Sequence, residues 1–173
     1  HEERGYRTNN LLRFHSDSCD MVGLLCLHPA KSGGLSSITS TPHAHNVMLE
    51  RRPDLVKVLT EPFYWDRRGE IPPGKKPWYE LAVFHYYQNR FNSRYGRIHI
   101  DSAQRFDEVP RLTPKQLEAL DYMETLLNEL RFDMEFRQGD IQILHNHVVL
   151  HSRTEYEDYP EFERRRHLLR LWM

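Results

Sequence analysis

Long apolar runs are missing from this sequence, which excludes the simplest way of crossing a membrane. The longest, Met21 to Leu27, falls far short of the ~20 residues that a spanning helix needs. An excess of charge of either sign is missing too. With 24 Lys and Arg against 25 Asp and Glu, the formal net charge is -1. Such a chain sets up no global basic field for nucleic acid or an anionic lipid surface. Cysteine is scarce. Cys19 and Cys26 cannot build a disulfide framework. Both lie in or beside the apolar run, where buried free thiols fit a reducing compartment, so the expected location is the cytoplasm. No Gly-rich phosphate loop, internal repeat or low-complexity tract is present.

What is present reads as one globular domain over residues 1–173, with 39% hydrophobic and 28% charged residues. The chain opens on His1, Glu2, Glu3 and Arg4 without a methionine or a signal peptide, and reaches a dense motif by residue 15. It is therefore expected to be the C-terminal portion of a longer chain. Residues 1–10 read as irregular. Met21 to Leu27 reads as a buried strand ended by Pro29 to Gly34. Thr41-Pro42 reads as an N-cap and first helical position, opening a helix to about Arg52, with a further turn over Asp54 to Leu59. Residues 62–79 read as a long ordered loop with room for strand edges. Leu81 to Tyr87 and Arg94 to Ile100 read as strands, with Gln88 to Ser93 turning between them. Thr113-Pro114 opens a second helix, with Leu117, Leu120, Leu127 and Leu130 on one face. Phe132 to Arg137 and Ile141 to Leu144 read as a hairpin about Gly139-Asp140, and Val148 to His151 as extended. Arg165 to Trp172 alternates as a strand does. Short strands with two inserted helices point to a mainly β sandwich or jelly roll, not a parallel α/β sheet.

The chemistry begins at His15-Ser16-Asp17. On an extended chain, residues i and i+2 share a face, so an imidazole and a carboxylate can grip one metal ion from one side. A second histidine would complete a 2-His-1-carboxylate facial triad, which leaves coordination positions open for substrates. His145, His147 and His151 would share one face of an unbroken strand, and spacing alone does not choose among them. In the last strand, alternation places Arg166, Leu168, Arg170 and Trp172 on one face. Burying two arginines there demands anionic partners, and a guanidinium matches a carboxylate with two parallel hydrogen bonds.

Taken in order, His15-Ser16-Asp17, Gly33-Gly34, the stretch Gly139 to Gln142, Asn146 to His151 and Arg165 to Arg170 resemble the TauD/TfdA family of taurine-dioxygenase-like and clavaminate-synthase-like oxygenases. The resemblance runs along essentially the whole chain and implies a double-stranded β-helix (jelly-roll) core that lacks its N-terminal part. It further implies a dioxygenase that uses Fe(II), 2-oxoglutarate and O2 to hydroxylate or desaturate a small organic substrate, releasing succinate and CO2. By the family register, His15, Asp17 and His151 match the iron ligands. Arg166 matches the arginine that holds the far carboxylate of 2-oxoglutarate. Ser36 falls where the family places a Thr or Ser on that carboxylate, with Ser37 as a near alternative. Arg170 matches a second arginine that holds an anionic substrate group. The expected partner is a small molecule, not nucleic acid or a membrane, and a homo-oligomer is compatible with the sequence.

The remaining histidines read more plainly. His43 and His45 diverge on a helix and make poor co-ligands. His145-Asn146-His147 spells a nuclease motif but sits among strand-like neighbours. The aromatic cluster of Trp65, Trp78, Tyr79, Tyr86, Tyr87 and Tyr95 reads as packing. Two rival functions stand beside the oxygenase: a catalytically silent member acting as a binding subunit, and a zinc hydrolase built on the same triad, which would leave Arg166 and Arg170 without a role.

Overall fold

The computed structural model describes residues 8–173, so most of the stretch expected to be irregular lies outside the described residues. The elements run β1 (Leu12–His15), β2 (Met21–His28), β3 (Ser32–Gly33), β4 (Ser36–Ser40), α1 (Thr41–Arg51), α2 (Pro53–Leu59), β5 (Pro62–Asp66), β6 (Trp78–Ala82), β7 (Phe84–Tyr87), β8 (Arg90–Ser93), α3 (Arg97–Ala103) and α4 (Pro114–Glu129). The chain continues through β9 (Phe132–Met134), β10 (Ile141–His145), β11 (Val149–Arg153), β12 (Tyr156–Glu157) and β13 (His167–Trp172). Two antiparallel sheets carry the site. One has the order β1-β11-β4-β9, the other β10-β2-β13. They face each other, because the Ser36 hydroxyl on β4 meets the Gln142 side chain on β10 at 3.2 Å.

Strand alternation divides the labour of the larger sheet. Phe14 and Leu150 turn outward into an apolar core with Met48 of α1, Leu55 and Leu59 of α2, and Leu120, Met123 and Leu127 of α4. Their neighbours His15 and His151 turn the other way, into the space between the sheets. The apolar core thus lies behind the larger sheet and anchors it, while the space between the sheets is left for polar chemistry. The smaller sheet has its own alternation: Ile141 and Ile143 of β10 and Leu169 and Leu171 of β13 are exposed on its outer face, with Gly23 between Ile143 and Leu171.

The α4 cap forms as read: the Thr113 hydroxyl accepts from Gln116 N–H, and the Gln116 side chain accepts from Thr113 N–H, a reciprocal pair worth about 1 kcal/mol. Leu120 and Leu127 are buried, but Leu117 is exposed. Three expectations need correction and one is sharpened. The α1 cap is Ser40, whose hydroxyl accepts from His43 N–H, because the Thr41 hydroxyl is buried and bonded to Ser93 at 2.7 Å. Residues 62–79 have the strand edges expected of them, and these pair: β5 and β6 lie in register, with Trp65 stacked on Tyr79, and 67–77 is the loop between them. Arg94 to Ile100 is not a strand. The strand is β8, reached by a turn in which Gln88 and Asn89 both take positive φ. Arg97 then opens α3, which buries Ile100 and Ala103 at helical spacing and closes an Arg97–Asp101 pair at 2.7 Å. Finally, β9 and β10 are not a hairpin: β9 pairs with β4 and β10 with β2, in different sheets.

Candidate metal centre

His15 and His151 are direct partners across the antiparallel β1–β11 pair, their ring centroids 4.3 Å apart. Asp17 follows β1 by two residues and sits between them. Its Oδ1 lies 3.9 Å from His15 Nε2 and its Oδ2 3.9 Å from His151 Nε2. The three ligand atoms all lie within 4.8 Å of one another. The unbroken strand that left three histidines as alternatives does not exist. A turn at Asn146-His147 separates β10 from β11, and His147 turns to Asp20 at 2.8 Å while His145 Nδ1 accepts the His147 N–H. The chain therefore brings His151 to His15 and Asp17, and leaves His145 and His147 at the surface.

The donor set fits a divalent metal. His15 Nδ1 donates to the Arg13 carbonyl at 2.9 Å, which leaves the Nε2 lone pair for a metal. Burial holds both imidazoles below their ordinary value; at His151, the neighbouring His15 and Arg170 add to it. Both rings are thus neutral near pH 7, the form that coordinates. Asp17 is oriented by groups that sequence reasoning missed. The Trp172 indole N–H donates to its Oδ2 at 3.0 Å, and its own N–H donates to Asn146 Oδ1 at 3.1 Å. Arg94 donates to the Asp17 carbonyl and, at 2.7 Å, to the Ser18 hydroxyl. Arg170 lies 3.6 Å from Asp17 Oδ1. Trp172 was legible as the i+2 neighbour of Arg170 on one strand face; Arg94, far away in sequence, carried no signal.

Two cavities meet at this centre. The smaller, of about 270 Å³, is lined by His15, His151, Ser36, Arg153, Tyr156 and Arg166, among others. The larger, of about 560 Å³, is lined by His15 and Asp17 together with Arg68, Arg94, His99 and Trp172. Arg170 borders both. Arg166 and Ser36 thus share one cavity with the triad histidines. Ser37 points elsewhere, donating to Asp133 at 2.5 Å. The Gly33-Gly34 pair keeps the backbone clear of this cavity's wall. A Cβ on Gly34, whose φ is +69°, would stand 3.3 Å from both Arg166 Nε and Tyr156 Cβ.

The profile of the taurine catabolism dioxygenase TauD, TfdA family matches residues 1–172. The chain belongs to this family. FR-33289 synthase of Streptomyces rubellomurinus is 37% identical over 98% of the chain and 51% of its own length. A taurine hydroxylase-like protein, SAT17, of Stachybotrys chartarum is 32% identical over 92% of the chain and 41% of its own length. The chain thus spans about half the length of these relatives. Among solved structures, an asparagine oxygenase in complex with Fe(II), 3-hydroxyasparagine and succinate superposes with a TM-score of 0.73 at 20% identity, covering 97% of this chain and 51% of that one. The non-haem iron oxygenase OrfP with Fe and α-ketoglutaric acid gives 0.67 at 16% identity, covering 94% and 49%. These likenesses establish the mainly β, double-stranded β-helix fold of the TauD/TfdA chain. Among the described residues, no helix is long and apolar enough to cross a membrane.

Proposed function

We propose that this TauD/TfdA chain carries the metal and co-substrate sites of an Fe(II)- and 2-oxoglutarate-dependent dioxygenase that hydroxylates or desaturates a small anionic molecule. The observation that carries the reading is the triad standing where two cavities meet, one of them reaching Arg166 and Ser36. His15, Asp17 and His151 would hold the iron on one face. When bound, iron and the keto acid supply the oxidising power, with 2-oxoglutarate and O2 consumed and succinate and CO2 released. Arg166 would grip the far carboxylate in bidentate fashion, with the Ser36 hydroxyl as a second donor. A keto acid held so would extend from Arg166 toward the triad through the cavity that both line. The larger cavity would take the substrate, and Arg170, at its border, would hold an anionic group on it.

The family relationship and a cavity ending in arginine favour this reading over a zinc hydrolase. Anaerobic addition of Fe(II) to protein with 2-oxoglutarate is expected to raise a weak visible charge-transfer band. A protein without the band is not such an oxygenase. His15→Ala is expected to abolish it, and a variant that retains it removes His15 from the ligand set. Turnover unchanged in Arg170→Leu would strike Arg170 from the substrate site.

A further inference from the structure

The smaller cavity holds a second guanidinium to which the proposed function gives no role. Arg153 follows His151 by two residues on β11 and is 6% exposed. Its terminal nitrogen donates to the carbonyls of Thr8, at 2.9 Å, and Asn10. Its Nε is buried and makes no hydrogen bond among the described residues. The guanidinium carbon lies 4.7 Å from the centre of the Tyr156 ring, and that of Arg166 lies 5.2 Å from the same centre. One aromatic ring therefore serves a buried cation, Arg153, and a half-buried one, Arg166. Among the described residues, neither guanidinium forms an ion pair with a carboxylate. Asp158 accepts from the Arg166 backbone N–H, and its charge reaches the guanidinium without forming an ion pair with it.

Two like charges around one ring, one buried and one half-buried, are unfavourable without an anion between or beside them. A π face compensates only part of the lost hydration, and two carbonyls satisfy only one end of Arg153. Surface arginines in a neutral role would instead face water or pair with the abundant acids of this chain. Both arginines line the same cavity as Ser36.

The geometry points to Arg153 as a second arginine for the far carboxylate of the keto acid, acting with Arg166 about Tyr156 and making the cavity selective for a dicarboxylate over a monocarboxylate. This assignment rests on the proposed function for the keto acid. The two-arginine anion pocket itself does not. The test uses wild type, Arg153→Met, Arg153→Lys and Tyr156→Leu, the last leaving the Thr8 and Asn10 bonds in place. Binding of 2-oxoglutarate and of pyruvate, which lacks the far carboxylate, is followed anaerobically through the charge-transfer band with Fe(II). Binding of glutarate to metal-free protein is followed by calorimetry.

Arg153→Met is expected to weaken 2-oxoglutarate and glutarate on the order of tenfold to a hundredfold and to leave pyruvate and Fe(II) alone unchanged. Arg153→Lys is expected to recover part of the loss, and Tyr156→Leu to weaken both dicarboxylates more mildly. A purely structural arginine would weaken both keto acids and Fe(II) together, and that pattern, or undisturbed dicarboxylate binding, overturns the inference. Should wild type give no band yet bind glutarate through Arg153, the oxygenase reading falls and the anion pocket stands.

Discussion

The two cavities beside the triad are both lined by arginine, yet they treat its charge in opposite ways. In the larger, Arg97 is tied to Asp101 at 2.7 Å and Asp121 at 2.6 Å, and Arg94 is spent on the Asp17 carbonyl and the Ser18 hydroxyl. These side chains hold walls together. In the smaller, among the described residues, the guanidinium groups of Arg166 and Arg153 form no ion pair with a carboxylate, and both lie against the Tyr156 ring. A buried cation left without an anion is costly, so it marks a seat for one. The partner, not the residue type, separates an architectural arginine from a binding one.

The comparison can be broken most severely at Arg166. Arg166→Met is expected to raise the 2-oxoglutarate dissociation constant by about a hundredfold while Fe(II) alone binds as before, since a bidentate charge-assisted pair is worth about 3 kcal/mol. Undiminished keto acid binding would mean that the bare charges are not a seat. A second test concerns His99 at the larger cavity. Burial, then Arg94 and Arg68, push its pKa down to about 4. The folded value lies below the ordinary one, so the unfolded chain takes up the proton first. The stability contribution is intact above about pH 6.5 and is lost as pH falls toward 4. Wild type should therefore lose about 2 kcal/mol more than His99→Gln between pH 7.5 and pH 4.5 in urea unfolding, a figure reduced for the partial exposure of the ring. Parallel pH profiles would refute a buried neutral His99. The smallest effect is expected at Arg97. Arg97→Met should cost about 1 kcal/mol of stability in the same assay and leave 2-oxoglutarate affinity within twofold, because its acids are on the protein. A large loss of keto acid binding there would erase the distinction between the cavities.

Legibility followed the range of the interaction. β2 was visible because a short apolar run bounded by Pro29 and Gly34 has few alternatives, and α4 because Thr113 and Gln116 cap each other locally. The misreadings fell where partners are distant. Arg94 to Ile100 alternates well enough to pass for a strand, but α3 packs against β5 and buries Ile100 and Ala103 on one helical face; the Arg97–Asp101 spacing was the local sign of it. β9 and β10 look like a hairpin in one dimension, yet each finds an earlier strand, β4 or β2, in opposite sheets. At the site, His15 and Asp17 were readable at i, i+2, and Arg166 and Arg170 from alternation. Asn146 and Trp172 fix Asp17 across 129 and 155 positions of sequence; alternation put Trp172 on the arginine face, but nothing in the sequence tied either residue to Asp17.

By itself, then, the sequence determined the chemical inventory and its local grouping: an H-x-D able to face one way, a terminal strand with its arginines on one side, and a charge balance that seeks no polyanion. Spacing left three histidines open and the family register pointed to His151; the tertiary structure brings that one to the pair. The His15–His151 cross-strand register depends on a turn at Asn146-His147 that one-dimensional alternation cannot detect. It also decided which arginines are bare. Asp101 reaches Arg97 within one helix, but Asp121 reaches Arg97, and Tyr156 meets Arg153 and Arg166, only once the sheets and helices have packed.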